Sequence, residues 1–313
     1  MANKPSRIQD RCNRQPLTFF PFLSNHHAFS RLPRVHIASK RKNLQFDGPP
    51  LVMGILNVTP DSFSDGGQYL GDRALAECLA TMLAAGADII DVGGESTRPF
   101  AAPVPVEVEL ARVIPAIEHI RRLDPHILVS IDTSKAKVAR AALDAGADII
   151  NDVSALRFDA DMIQVAVAAD APVILMHMQG TPADMQISPC YKDVVTEIKD
   201  FLQERINWAE QRGLSRQRIL VDPGLGFGKT EEHNLTILKR LREFHTLGCP
   251  VLIGHSRKGF LGRILDVPAQ ERDVATAVLS GYCAWQGAHI LRVHDVLKTV
   301  QAVRLIGAVM QAS

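Results

Sequence analysis

This chain of 313 residues has no apolar run near the roughly 18 residues that a membrane span needs. Paired cysteines are also missing. Cys12, Cys78, Cys190, Cys249 and Cys283 are scattered with no CxxC spacing, which argues against a disulfide framework or a zinc knuckle and fits a reducing, cytoplasmic compartment. Net charge is nearly absent: 35 Lys and Arg against 34 Asp and Glu leave +1, which gives no support for nucleic-acid binding. A content of 46% hydrophobic and 22% charged residues excludes disorder of the whole chain. The length suits one large domain or two smaller ones, since α/β barrels run to about 250 residues as a single unit.

Charge is unevenly spread. Residues 1–46 carry nine Lys and Arg against Asp10 alone (+8), and the other 267 residues carry 26 against 33 Asp and Glu (−7). Phe19, Phe20, Phe22 and Phe29 in this head follow neither a helical nor a strand period, and the apolar core of a secretory signal is lacking. Residues 1–46 are expected to be a basic, disordered extension ahead of a folded unit at 47–313. An organelle transit peptide is the alternative.

From Leu51 onward, short Val-, Ile- and Leu-rich runs alternate with longer stretches of helical spacing. The runs are Leu51–Leu56, Asp88–Val92, Ile127–Ile131, Asp148–Ile150, Pro172–Met176, Arg218–Val221, Pro250–Ile253 and His289–Val293. Helical spacing marks Ala74–Ala85, Val106–Arg121, Val138–Ala145, Val194–Gln211 and Val296–Val309. Continuous apolar strands alternating with helices predict a parallel sheet, and eight units predict a (β/α)8 TIM barrel with its active site at the C-terminal ends of the strands.

An internal echo supports the barrel. Ala85-Gly86-Ala87-Asp88-Ile89-Ile90-Asp91 recurs as Ala145-Gly146-Ala147-Asp148-Ile149-Ile150-Asn151 and as Gln286-Gly287-Ala288-His289-Ile290-Leu291-Arg292. Each glycine is expected to end a helix in the left-handed region, and each apolar pair to open a strand.

Polar residues follow every strand: Asn57, then Glu95 to Arg98, Asp132, Asn151 and Asp152, His177, Asp222, Ser256 to Lys258, and Arg292 with His294. Burying so many charges around one mouth without a ligand is costly, so the mouth should bind something polar, with Asp132 and Asp222 facing donors and Lys258, Arg292 and His294 facing an anion. Two apparent motifs fail. Pro223 stands where a Walker A loop ending at Gly228-Lys229-Thr230 needs its first glycine, and Lys258 replaces the last glycine of a nucleophile elbow at Ser256.

Met53-Gly54-Ile55-Leu56-Asn57-Val58-Thr59-Pro60-Asp61-Ser62-Phe63-Ser64-Asp65-Gly66-Gly67 resembles the first signature of the dihydropteroate synthase family. Gly93-Gly94-Glu95-Ser96-Thr97-Arg98-Pro99, Asp222-Pro223-Gly224-Leu225-Gly226-Phe227-Gly228-Lys229, Ser256-Arg257-Lys258 and Arg292-Val293-His294-Asp295 resemble its later blocks, in the family's order. The resemblance runs from about residue 48 to about residue 306. It implies condensation of 6-hydroxymethyl-7,8-dihydropterin diphosphate with 4-aminobenzoate in folate biosynthesis, with Mg2+ as cofactor, small molecules as partners and a homodimer.

The family's motifs place Asp132, Asn151, Asp222 and Lys258 on the pterin. They place Asn57, Thr97, Arg292 and His294 on the diphosphate, with Asn57 also on the metal. Ser256, Phe63, Pro99 and Phe227 fall on the 4-aminobenzoate, and Lys258, Asp132, Asp222, Asp65 and Arg98 are the implied catalytic set. Phe100 and His255 depart from the family pattern and put the width of the second-substrate pocket in question. A methyltetrahydrofolate-binding methyltransferase shares the pterin carboxylates but needs no diphosphate site, and a silent pterin-binding barrel would lack a functional group.

Overall fold

The computed structural model describes residues 36–37, 44–46, 48–58, 68–96, 103–181 and 184–312. Two short strands, β1 (His36–Ile37) and β2 (Leu44–Gln45), pair antiparallel. The expected strands follow as β3 (Leu51–Asn57), β4 (Ile89–Gly93), β5 (Leu128–Asp132), β6 (Ile149–Asp152), β7 (Val173–Met176), β8 (Ile219–Asp222), β9 (Leu252–Ile253) and β10 (Ile290–Val293). They are hydrogen-bonded in the order β8-β7-β6-β5-β4-β3-β10-β9, all parallel, and a bridge between Val221 and Val251 closes the ring. The (β/α)8 barrel expected from the sequence is the fold observed.

The described helices are α1 (Gln68–Ala84), α2 (Val106–Leu123), α3 (Ala136–Ala145), α4 (Met162–Ala169), α5 (Val194–Glu210), α6 (Glu231–Lys239), α7 (Gly259–Leu265), α8 (Asp273–Trp285) and α9 (Val296–Gln311). Local chemistry sets their ends. Asp193 and Asp295 cap α5 and α9 by accepting from the N–H groups of Thr196 and Lys298, and Thr230 forms a capping box with His233 at α6. The three echo glycines all lie in the left-handed region, with φ of 90° at Gly86, 117° at Gly146 and 89° at Gly287. Paired turn bonds accompany each, such as Gly146 N to Leu143 O (3.1 Å) and Ala147 N to Ala142 O (2.8 Å), the signature of a Schellman end.

The echo also carries a latch at the strand entrance. Asp88 accepts from Val52 N at 2.8 Å, Asp148 accepts from Val129 N at 3.0 Å, and His289 Nδ1 accepts from Val251 N at 3.0 Å. The third copy performs with an imidazole what the other two perform with a carboxylate.

Strand side chains alternate in direction, so each barrel strand sends every second residue inward. The innermost layer takes one residue from each strand: Met53, Ile89, Leu128, Ile149, Ile174, Leu220, Leu252 and Ile290. Ile37, Leu44 and Phe46 seal this layer from below, and the Phe46 ring meets His289 edge-on at 5.5 Å. The expected extension over 1–46 is corrected here. Its last described residues form the floor of the barrel, because the apolar ends of eight strands would otherwise face water. The folded unit therefore reaches back to His36 among the described residues.

Candidate active site

Two residues above the floor, the same alternation presents Ile55, Asp91, Ser130, Asn151, Met176, Asp222, Gly254 and Arg292. One step further come Asn57, Gly93, Asp132, Gly224, Ser256 and His294. Polar side chains thus enter the barrel only above an apolar floor. Asp132, Asn151, Asp222, Lys258, Arg292 and Phe227 are among the residues lining one cavity at this level. Val153, Met176 and Phe227 line it on an apolar side, in one buried cluster with Met178 and Met185.

Arg292 is the hub. Its Nε donates to Asp91 Oδ2 and its Nη2 to Asp132 Oδ2, both at 2.6 Å, while Asn151 Nδ2 donates to Asp91 Oδ2 at 3.2 Å. Asp91, Asn151 and Arg292 occupy the same position in the three copies of the echo, and the barrel brings them into one network. Asp91 is fully buried, and it escapes the sequence reading because it sits inside an apolar run rather than after it. The register of the echo was the signal that could have found it.

Burial pushes the Asp132 carboxyl up to about 7, with Arg292 pulling the other way and Asp91 adding to the rise. Its Oδ1 is buried without a hydrogen-bond partner among the described residues, an acceptor suited to a ligand N–H. Burial also raises Asp222, whose Oδ1 accepts from Gly224 N at 2.7 Å. Burial lowers the Lys258 ammonium to about 8, helped by the like charge of Arg292. Its Nζ stands 4.2 Å from the centre of the Phe227 ring, and its stem passes Gly226, where a Cβ would come within 3.1 Å of Cδ.

Ser256 and His294 close the rim. Ser256 Oγ accepts from His294 N at 3.1 Å and lies 2.9 Å from His294 Nδ1. Burial, with Arg257 and Arg292 nearby, lowers His294 to about 4. The ring is therefore neutral at pH 7; in the tautomer in which the Ser256 hydroxyl donates to Nδ1, the proton sits on Nε2, a donor for an anion. Asn57 Oδ1 lies across Gly93 from Asp132: a Cβ on Gly93 would be 3.5 Å from that oxygen and 3.6 Å from Asp132 Cβ.

Several placements refine the expectations. Arg292 lies with the pterin-assigned carboxylates as well as beside the expected anion site. Phe227, expected at the aminobenzoate, lines the same cavity as Asp132 and Asn151. Ser256 is tied to His294, so the two expected subsites share a hydrogen bond. His255, whose departure from the family pattern left the pocket width open, turns away from the mouth and meets Thr276 O at 3.1 Å and Ser280 Oγ at 2.8 Å. Arg257 also points outward, in a bidentate pair with Asp273 at 2.7 and 2.8 Å. Phe63, Asp65, Thr97, Arg98, Pro99 and Phe100 lie outside the described residues.

The family described as pterin binding enzyme matches residues 53–294 of this chain. The dihydropteroate synthase of Escherichia coli (strain K12) is 48% identical over 264 residues, spanning 84% of this chain and 93% of that protein. The Xanthomonas albilineans dihydropteroate synthase structure with 4-aminobenzoic acid superposes with a TM-score of 0.83 at 43% identity, covering 90% of this chain and 100% of the other. The same enzyme with 7,8-dihydropteroate gives a TM-score of 0.79 at 42% identity, with the same coverage. The fold and cavity define a pterin-binding barrel enzyme. Within that class, the chain belongs to the dihydropteroate synthase family.

Proposed function

We propose that the cavity takes the pterin of 6-hydroxymethyl-7,8-dihydropterin diphosphate and that the rim joins it to 4-aminobenzoate, giving 7,8-dihydropteroate and pyrophosphate in folate biosynthesis. The carrying observation is the display of Asp132, Asn151, Asp222 and Lys258 in one buried cavity. Carboxylates suit the N–H donors of an aminopyrimidine, Asn151 donates and accepts, and Lys258 donates to ring acceptors. The relatives bound to 4-aminobenzoic acid and to 7,8-dihydropteroate support the reading.

In the proposed step, the bond from the pterin methylene to the diphosphate oxygen breaks and pyrophosphate leaves with the electron pair. Positive charge spreads over the ring, beside the carboxyl groups of Asp132 and Asp222. The amine of 4-aminobenzoate forms the new C–N bond and loses a proton to solvent. Arg292 and the Nε2–H of His294 offset charge on the leaving group, a preorganised electrostatic contribution. Thr97, Asp65 and Arg98 would complete the cover, and Ser256, Phe63, Pro99 and Phe227 the aminobenzoate pocket, as the family motifs imply. Among the described residues no cluster of three His, Cys, Asp or Glu side chains could hold a metal. One protein oxygen, from Asn57, together with substrate oxygens and water fits Mg2+, which would neutralise charge on the diphosphate.

We also propose a cytoplasmic homodimer. Val274 (65% exposed) and Val278 (71%) on α8 and Leu305 (66%) and Val309 (64%) on α9 are exposed apolar side chains on two helices that meet at Gly281 and Ile306, a face that a second copy would cover. The enzymatic reading is tested by following pyrophosphate with Mg2+ and both substrates. Release should require the pterin diphosphate and 4-aminobenzoate together. Methyltetrahydrofolate binding without pyrophosphate release would point instead to a methyltransferase.

A further inference from the structure

Lys229 is a cation the proposed reaction does not use. It is 2% exposed, and among the described residues it has no ion pair. Its Nζ instead donates to Phe227 O at 2.9 Å and His177 O at 3.4 Å, and lies 3.0 Å from His177 Nδ1. Asp222 acts on it from beyond ion-pair distance, and a buried ammonium without a direct carboxylate partner is expensive, so its acceptors must matter to the fold or to the site.

Those acceptors belong to two segments that meet backbone to backbone. Gly224, Gly226 and Gly228 have φ of 70°, 80° and 63°, the left-handed region that favours glycine. A Cβ on Gly224 would lie 2.0 Å from His177 O, and one on Gly228 would lie 2.6 Å from Gln179 O. The turn is held carbonyl by carbonyl. Gly226 O accepts from Gln186 Nε2 at 2.6 Å, Phe227 O accepts from Lys229, and Gly228 O accepts from the Tyr191 hydroxyl at 2.8 Å. The inner side of the same turn builds the cavity: Gly224 N fixes Asp222, Gly226 makes room for Lys258, and the Phe227 ring faces the Lys258 ammonium.

We infer that Lys229 is a positioning residue of the pterin pocket, clamping the Gly224–Gly228 turn to His177–Gln179 and so setting Asp222, Phe227 and Lys258. This role rests on reading the cavity as the pterin site. Burial lowers His177 to about 2, so its ring stays a neutral acceptor for the clamp. Burial also lowers Lys229 to about 7, the expected strain on a cation kept there for its hydrogen bonds.

The test is Lys229→Met in the full chain, a side chain of similar length without donors. Calorimetry with 6-hydroxymethylpterin should show affinity weakened about tenfold or more, the scale for misplaced binding groups. KM for the pterin diphosphate should rise in parallel, with kcat changed less than about threefold. Pyrophosphate affinity should hold, because Asn57, Arg292 and His294 stand on or just beyond β3 and β10. A general loss of structure would weaken both ligands alike. Unchanged pterin affinity, or equal losses for pterin and pyrophosphate, overturns the role. Should Lys229→Met fail to fold, Tyr191→Phe removes a second clamp on the same turn and should weaken pterin binding about threefold, the worth of one hydrogen bond. No change there overturns the proposal. A wild-type chain that binds no pterin overturns the reading of the cavity itself, and this role with it.

Discussion

Arg292 Nη2 donates to Asp132 Oδ2 at 2.6 Å across 160 positions of sequence. The same guanidinium reaches Asp91, so a cation expected to meet the diphosphate is also held by two buried carboxylates. The first expectation follows from this sharing. Arg292→Ala strips both carboxylates of their counter-ion, and breaking a buried pair from one side costs about 3–5 kcal/mol. Urea unfolding should show a loss on that scale, and pyrophosphate binding should weaken more than binding of a pterin without phosphates. A stability change within experimental error would show that the pair carries little.

Asp132 makes stability depend on pH. Its folded value, about 7, lies above the roughly 3.9 of an unfolded chain. The unfolded chain releases the proton first, so the contribution is fully present below about pH 3.9 and declines until about pH 7. Compared with Asp132→Asn, the wild type should lose relative stability across that window and change little above it. A difference between the two proteins that is flat in pH contradicts the burial of this carboxyl.

The floor should be structural and separable from chemistry. Phe46→Ala should cost about 3–5 kcal/mol, as large-to-small core changes do, with KM unchanged. Removing residues 1–35 should leave turnover unaltered, whereas removing 1–46 should lower the melting temperature sharply. Equal melting temperatures for the two truncations would deny Ile37, Leu44 and Phe46 their sealing role.

Val278→Glu puts a charge among the exposed apolar side chains of α8 and α9. Light scattering should report the wild type as a dimer and the variant as a monomer. A monomeric wild type at micromolar concentration would reassign that face.

Much of the architecture was legible because strand and helix periods are local properties. Each of the eight runs became a strand within a residue or two, and the echo glycines end their helices as expected. The network around Arg292 was not legible in the same way. Its partners come from β4 and β5, and only ring closure sets β10 next to β3 and brings those side chains within reach. Asp91 was hidden by its apolar neighbours, since position after a strand was the criterion and Asp91 stands inside one. His255 shows the converse: it stands at a strand end, but alternation turns it outward to α8. The floor was missed because Ile37, Leu44 and Phe46 carry too little periodicity to mark an element, and their burial depends on a barrel that forms later in the chain.

The condensation depends on Lys258 aimed at the pterin. The direct measurement follows isotopically labelled 4-aminobenzoate into 7,8-dihydropteroate by mass spectrometry, for the wild type and for Lys258→Ala. The wild type should form labelled product in equal amount to pyrophosphate, and the variant should be slower by about 100-fold or more, the scale for one preorganised electrostatic group. Pyrophosphate released without labelled product, or a Lys258→Ala variant as fast as the wild type, would contradict it.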